Sequence, residues 1–144
     1  MLIVFLYLTN LFYLILYNDR KGSGELIAIR PERPPKRLFV HHQGHILPID
    51  LMDIALIYQE HQINWLINFD GQSYAMETSL KQVQKELDGQ RFFQINRWQI
   101  VNRENIRSLK SGTFGKIEVE FMVNFMKGTV SKGRASEFRK WLCM

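Results

Sequence analysis

Apolar and polar positions along this chain fall into three regimes. Met1 to Tyr17 carries no charge and has only Thr9 and Asn10 as clearly polar residues. Asn18 to Arg37 is polar, with Gly22-Ser23-Gly24 followed by Pro31, Pro34 and Pro35 among Arg30, Arg33, Lys36 and Arg37. From Leu38 onward, short apolar or alternating runs are punctuated by Gly, Pro and polar clusters. Their period of two predicts strands over 38–42, 46–49, 53–58, 63–69 and 73–76. Asp70-Gly71 marks a hairpin, because Gly accepts the positive φ that a tight turn demands. Ser79 and Gln82 form a capping box for a helix whose Leu80, Val83 and Leu87 share one face and which Gly89 closes. Phe93 and Ile95 then read as a strand with one buried face, and Ile100, Val101 and Ile106 bring the chain back into the core. Further strands are expected at 106–109, 116–121 and 125–130, with Ile117, Val119 and Phe121 on one side and Lys116, Glu118 and Glu120 on the other. Ser131 is placed to cap a last helix whose Ala135, Phe138, Trp141 and Leu142 form an apolar stripe. Trp65, Phe92, Phe93, Phe121, Phe125, Phe138 and Trp141 are assigned to the core, and for Trp98 a core position is favoured over a surface one. The fold class is mostly β, with short helices.

The first regime is too apolar for a surface helix of a soluble domain. Seventeen residues of helix rise about 25 Å, enough for a short span of a hydrocarbon core of roughly 30 Å. The run lacks the basic start and small-x-small site of a cleaved signal peptide. Arg20 and Lys21 follow it at once, and by the positive-inside rule this puts the remainder of the chain in the cytoplasm, anchored in the inner membrane. A hydrophobic helix packed on a neighbouring subunit, or the remnant of a longer multi-span protein, is the alternative. The domain division is therefore a membrane helix over 1–17, a Pro-rich linker over 18–37 and a folded domain over 38–144.

Charge adds a direction. The net charge of +5 is modest, yet residues 1–37 contribute +3, residues 38–90 contribute −5 and residues 91–144 contribute +7. A basic last third beside an acidic middle gives one face that attracts phosphate. The single Cys143 excludes an intrachain disulfide and points to a reducing compartment.

Catalytic and metal chemistry find little to stand on. His41, His42 and His45 are close in sequence, but neighbours in a strand point to opposite faces, and no Cys or carboxylate cluster completes a ligand set. No Gly-rich phosphate loop, nucleophile elbow or acid/base carboxylate pair is present, so neither an enzyme nor a cofactor is expected.

The segment Phe92 to Ile106 alternates large apolar residues with side chains that read or neutralise a polyanion. Asn96, Arg97 and Arg103 fall near breaks in its strand pattern, where an arginine can fork onto guanine or phosphate and an asparagine can pair with adenine. This segment resembles the signature of the LytTR DNA-binding family: Phe93, Arg97, Ile100, Val101, Asn102 and Ile106 fall in register. Upstream, Asp53 to Tyr58 is similar to a strand of the family, and downstream Val130-Ser131-Lys132-Gly133-Arg134 is similar to its Val-Ser-Arg segment. The likeness extends over about 38–142. Gln94, Asn96 and Trp98 depart from the residues common in the family. The resemblance implies an elongated β-sheet domain that binds duplex DNA and regulates transcription, with three loops entering successive major grooves. On this chain those loops hold His61 and Asn64, then Asn96 and Arg97, then Lys132 and Arg134, with Arg103 as a further contact. It also implies a response-regulator-like role with a possible sensor partner and a possible homodimer on repeated half-sites. A membrane-anchored β-domain that binds a cytoplasmic protein or anionic lipid without DNA is the rival reading that charge alone leaves open.

Overall fold

The computed structural model describes residues 36–144. The expected membrane helix and nearly all of the linker lie outside them. Among the described residues no helix is long and apolar enough to cross a membrane.

Among the described residues ten strands and two α-helices follow one another: β1 (Arg37–His42), β2 (His45–Asp50), β3 (Ile54–Glu60), β4 (Ile63–Asn68), β5 (Ser73–Met76), α1 (Leu80–Glu86), β6 (Phe92–Asn96), β7 (Gln99–Asn102), β8 (Ile106–Ser111), β9 (Ile117–Phe121), β10 (Lys127–Val130) and α2 (Lys132–Leu142). Strands β1 to β7 form a seven-stranded sheet in the order β2-β1-β5-β4-β3-β7-β6, and β8 to β10 form a three-stranded sheet. Every pairing is antiparallel.

The alternation along the central strands sorts side chains to two cores, one on each face of the large sheet. On one face Leu56, Ile67, Phe93, Ile95 and Val101 pack against Val119 and Phe121 of the small sheet and Phe138 and Trp141 of α2. On the other, Ile57, Leu66, Phe92 and Ile100 pack against Leu80, Val83 and Leu87. Phe121 and Phe138 are completely buried, each burial being worth roughly 1.5–3 kcal/mol. Both clusters close within residues 38–142, so residues 36–144 carry their own core.

A bulge interrupts β3, where Ile54 pairs with Asn68 but Leu56 already pairs with Ile67. The carbonyls it displaces are taken up by two fully buried asparagines. Asn102 Nδ2 donates to Ile54 O at 2.8 Å and Asn105 Nδ2 donates to Ala55 O at 3.2 Å. Their own carbonyl oxygens accept from the backbone N–H of Glu104 and Val123, which ties the bulge to the turn before β8 and to the turn between β9 and β10. In β10, a Cβ on Gly128 would lie 2.6 Å from Ile95 Cδ1 and 2.7 Å from Phe121 Cζ. Only glycine lets the two sheets approach this closely at that point.

Several local expectations shift. The Ser79/Gln82 capping box forms in full, but α1 ends at an extended Leu87 before Gly89 is reached. Asp70-Gly71 lies in a longer turn, with Gly71 at φ +83° and its N–H bonded to Asn68 O. The last strand begins at Lys127, because Asn124 and Phe125 take positive φ in a short turn. Phe125, assigned to the core by its aromaticity, is 70% exposed at that turn. Ser131 occupies the first position before α2, yet its side chain makes no capping bond.

Candidate nucleic-acid interface

Antiparallel pairing brings the β3–β4 hairpin tip and the β6–β7 turn to the same edge, since Tyr58 pairs with both Trp65 and Gln99. Gln59 N–H donates to Trp98 O at 2.9 Å. The N-terminal end of α2 joins them from the small sheet: Ser131 N–H donates to Ile95 O at 3.2 Å, and Asn96 Nδ2 donates to Thr129 O at 2.9 Å. Three chain segments, 60–63, 96–99 and 131–134, therefore line one edge. The hairpin tip is His61-Gln62, both at positive φ (49° and 65°), as a type I′ turn requires. Gly or Asn would satisfy those angles at lower cost; here the strained positions present an imidazole and a carboxamide to solvent instead.

The predicted site residues divide sharply. Arg97 is exposed, its guanidinium stacks 4.3 Å from the Trp98 ring centroid, and it forms no ion pair among the described residues. Lys132 is exposed at the start of α2, beside the 113–115 turn, where a Cβ on Gly115 would sit 3.5 Å from Lys132 Cγ. His61 stands exposed at the hairpin tip. These three are presented outward on the same edge.

The others are committed internally. Asn96 Nδ2 serves both Thr129 O and Gln99 Oε1, while its Oδ1 accepts Trp98 N–H at 2.8 Å; the side chain shapes the turn that displays Arg97. Arg134 donates to Gln94 O and lies over Phe93, locking α2 to β6. Asn64 is buried, with Nδ2 donating to Thr78 O at 2.9 Å, and so faces α1 and not the loops. Arg103 sits at the opposite end of β7 from Arg97, stacked on Trp141 at 4.6 Å and donating to Trp141 O. The expectation of a core position for Trp98 is overturned: it is 46% exposed, because the turn that Asn96 fixes carries it past the sheet edge.

Between the hairpin tip and the β6–β7 turn lies an open cleft of about 570 Å³, lined in part by Tyr58, Glu60, Gln62, Trp98 and Met126. Burial, and secondarily the Glu60 carboxylate, raises the Tyr58 hydroxyl above its ordinary value, so that side chain is a neutral phenol across the physiological range. No group of three His, Cys, Asp or Glu side chains gathers to hold a metal among the described residues.

The family model of the LytTr DNA-binding domain matches residues 44–143. The chain belongs to the LytTR DNA-binding domain family. A solved LytTr DNA-binding domain, described as that of a methyl-accepting/DNA response regulator from Bacillus cereus, superposes with a TM-score of 0.68 at 18% identity, covering 77% of this chain and all of that one. At that identity the likeness establishes the fold. Among curated proteins the sequence finds no significant match. Membership in the LytTR family carries DNA binding and the regulation of transcription as the general role of the domain.

Within this LytTR domain the edge contains residues that the sequence pattern did not single out. Gln62 shares the hairpin tip with His61, and Lys116 follows the turn that abuts Lys132. Tyr58 and Met126 line the cleft. The two non-glycine residues at the hairpin tip could have signalled Gln62, had the hairpin register been fixed in advance. Nothing local announces Met126, which comes to the cleft only through the packing of the two sheets.

Proposed function

We propose that this LytTR domain reads specific duplex DNA through 60–63, 96–99 and 131–134, which enter the major groove from one edge while basic side chains fix the register on phosphate. The observation that carries this reading is Arg97, a guanidinium held flat against an exposed indole and otherwise unpaired among the described residues. A planar fork preorganised in this way suits guanine O6 and N7, and stacking lowers the entropy lost on docking. Lys132, next to the uncapped N-terminal turn of α2, suits phosphate as a point charge beside backbone N–H groups. Selection from randomised duplexes with residues 36–144 tests the reading. A recovered consensus that outcompetes scrambled duplex is the expected result, and recovery of no consensus overturns it.

The uncharged run 1–17 and its flank Arg20-Lys21 support a tether that holds the domain at the cytoplasmic side of the inner membrane. A reporter fused after Lys21 should give a membrane-bound, cytoplasmic signal. A periplasmic signal would reverse the topology and remove the domain from DNA.

A further inference from the structure

Groups that line the cleft between the hairpin tip and the β6–β7 turn are of a different character from those around them. Arg97 and Lys132 stand on the same edge as unpaired cations among the described residues, whereas the cleft combines an apolar part, the Tyr58 ring, the Trp98 indole and the Met126 thioether, with Gln59, Glu60, His61, Gln62 and Gln99 around it. Glu60 repels phosphate, so when the loops dock it is a base-pair edge and not the backbone that meets the cleft. In the major groove the one methyl group on a base-pair edge is the C5-methyl of thymine; apart from the smaller C5–H of cytosine, the edge is made of hydrogen-bond donors and acceptors. A donor or acceptor pressed onto the ring faces of Tyr58 and Trp98 and the side chain of Met126 would lose its water without gaining a partner there. Thymine's methyl loses nothing, and the adenine paired with it presents N6 and N7 to a carboxamide such as Gln62.

Building on the base-reading proposal above, we infer that the Tyr58–Trp98–Met126 cleft is a thymine-methyl site, which selects an A·T pair next to the position read by Arg97. Trp98 thereby has two working faces, one carrying the Arg97 guanidinium and one facing the cleft. The cleft is larger than a methyl group needs, so the flanking pair edge and its water enter with it.

The test uses the consensus duplex recovered by residues 36–144 and replaces each thymine in turn with deoxyuridine, which removes only the methyl group. One thymine next to the Arg97-dependent position should lose about fourfold in affinity, the factor that burying one methyl group is worth. In Trp98→Ala and Met126→Ala that loss should vanish, so that thymine and deoxyuridine duplexes bind alike, even though Trp98→Ala weakens both through Arg97. Trp98→Phe should keep most of the discrimination, which guards against a fold effect, and thermal melting checks each variant. A consensus with no methyl-sensitive thymine, or a sensitivity that survives in both alanine variants, overturns the inference while leaving base reading intact. Recovery of no consensus overturns base reading, and the cleft's role with it.

Discussion

Arg97 and Asn96 are neighbours with opposite duties. Arg97 has its donors free of protein partners among the described residues, and its aromatic support holds the guanidinium plane outward. Arg97→Ala should therefore relax preference at one or two base positions at a cost of roughly 1–3 kcal/mol, seen as a shrinking ratio of affinities for consensus and scrambled duplex. Asn96 spends its amide on the turn itself. Its replacement by alanine should cost about 1–2 kcal/mol of stability and also shrink the consensus ratio, because the turn that presents Arg97 and Trp98 loses its brace; melting separates it from Arg97→Ala, which keeps its stability. If Asn96→Ala instead changed base preference at unchanged stability, the amide would be a reader after all. The sequence displays both residues as polar groups at a strand end and offers no way to tell them apart. Asn96 finds Thr129 across 33 positions, Asn64 finds Thr78 across 14 and Arg134 finds Gln94 across 40, and such partners exist only once the sheets are assembled.

Elements whose cause is local were legible, and those set by tertiary contacts were not. The capping box of α1 needs only Ser79 and Gln82, three residues apart, and it forms as the spacing dictates. The period-two runs fix which side of each strand is buried, and the two cores follow from it. In the run 122–126 Asn124 is a residue that accepts positive φ, but Phe125 gives no sign of it; Asn124 is held there in part by Nδ2 donating to Gly71 O at 3.2 Å, a residue 53 positions away. The β3 bulge belongs to the same class. It shifts the pairing of β3 with β4 at the end away from the hairpin tip, and Asn102 and Asn105 satisfy the carbonyls it leaves. Replacing Asn102 with leucine, close in size, strands Ile54 O in a buried setting and removes the partner of the part-buried Glu104 N–H. About 2–3 kcal/mol of stability should be lost by denaturant unfolding, about 1–3 kcal/mol being typical for each buried group left unpaired. An unchanged midpoint would mean that the bulge satisfies itself.

At the scale of the whole domain, charge is graded along the order of the strands. Strands β1 to β5 and α1 come from the stretch of net −5, while β6, β7, the small sheet and α2 come from the stretch of net +7. Two of the three edge segments, those with Arg97 and Lys132, belong to the basic part; the hairpin tip belongs to the acidic part and brings Glu60 with it. Long-range attraction to DNA is therefore strongest at the β6 and α2 end, where Lys132 meets phosphate beside the base-reading Arg97, while Glu60 keeps the hairpin tip off the backbone. Binding by residues 36–144 should fall steeply as salt rises, because each neutralised phosphate releases counterions. Lys132 is a point charge without a bidentate fork, and its exposure at the start of α2 gives it backbone phosphate as its natural partner. Lys132→Ala should then weaken consensus and scrambled duplex by the same factor and reduce the slope of log affinity against log salt by about one. Arg97→Ala, measured in the same titration, should change the consensus ratio first. Salt slopes for the two variants on the two duplexes decide between these roles. An unchanged slope for Lys132→Ala would show that the α2 end does not touch phosphate, and would leave the basic part of the domain acting only by steering DNA toward the edge.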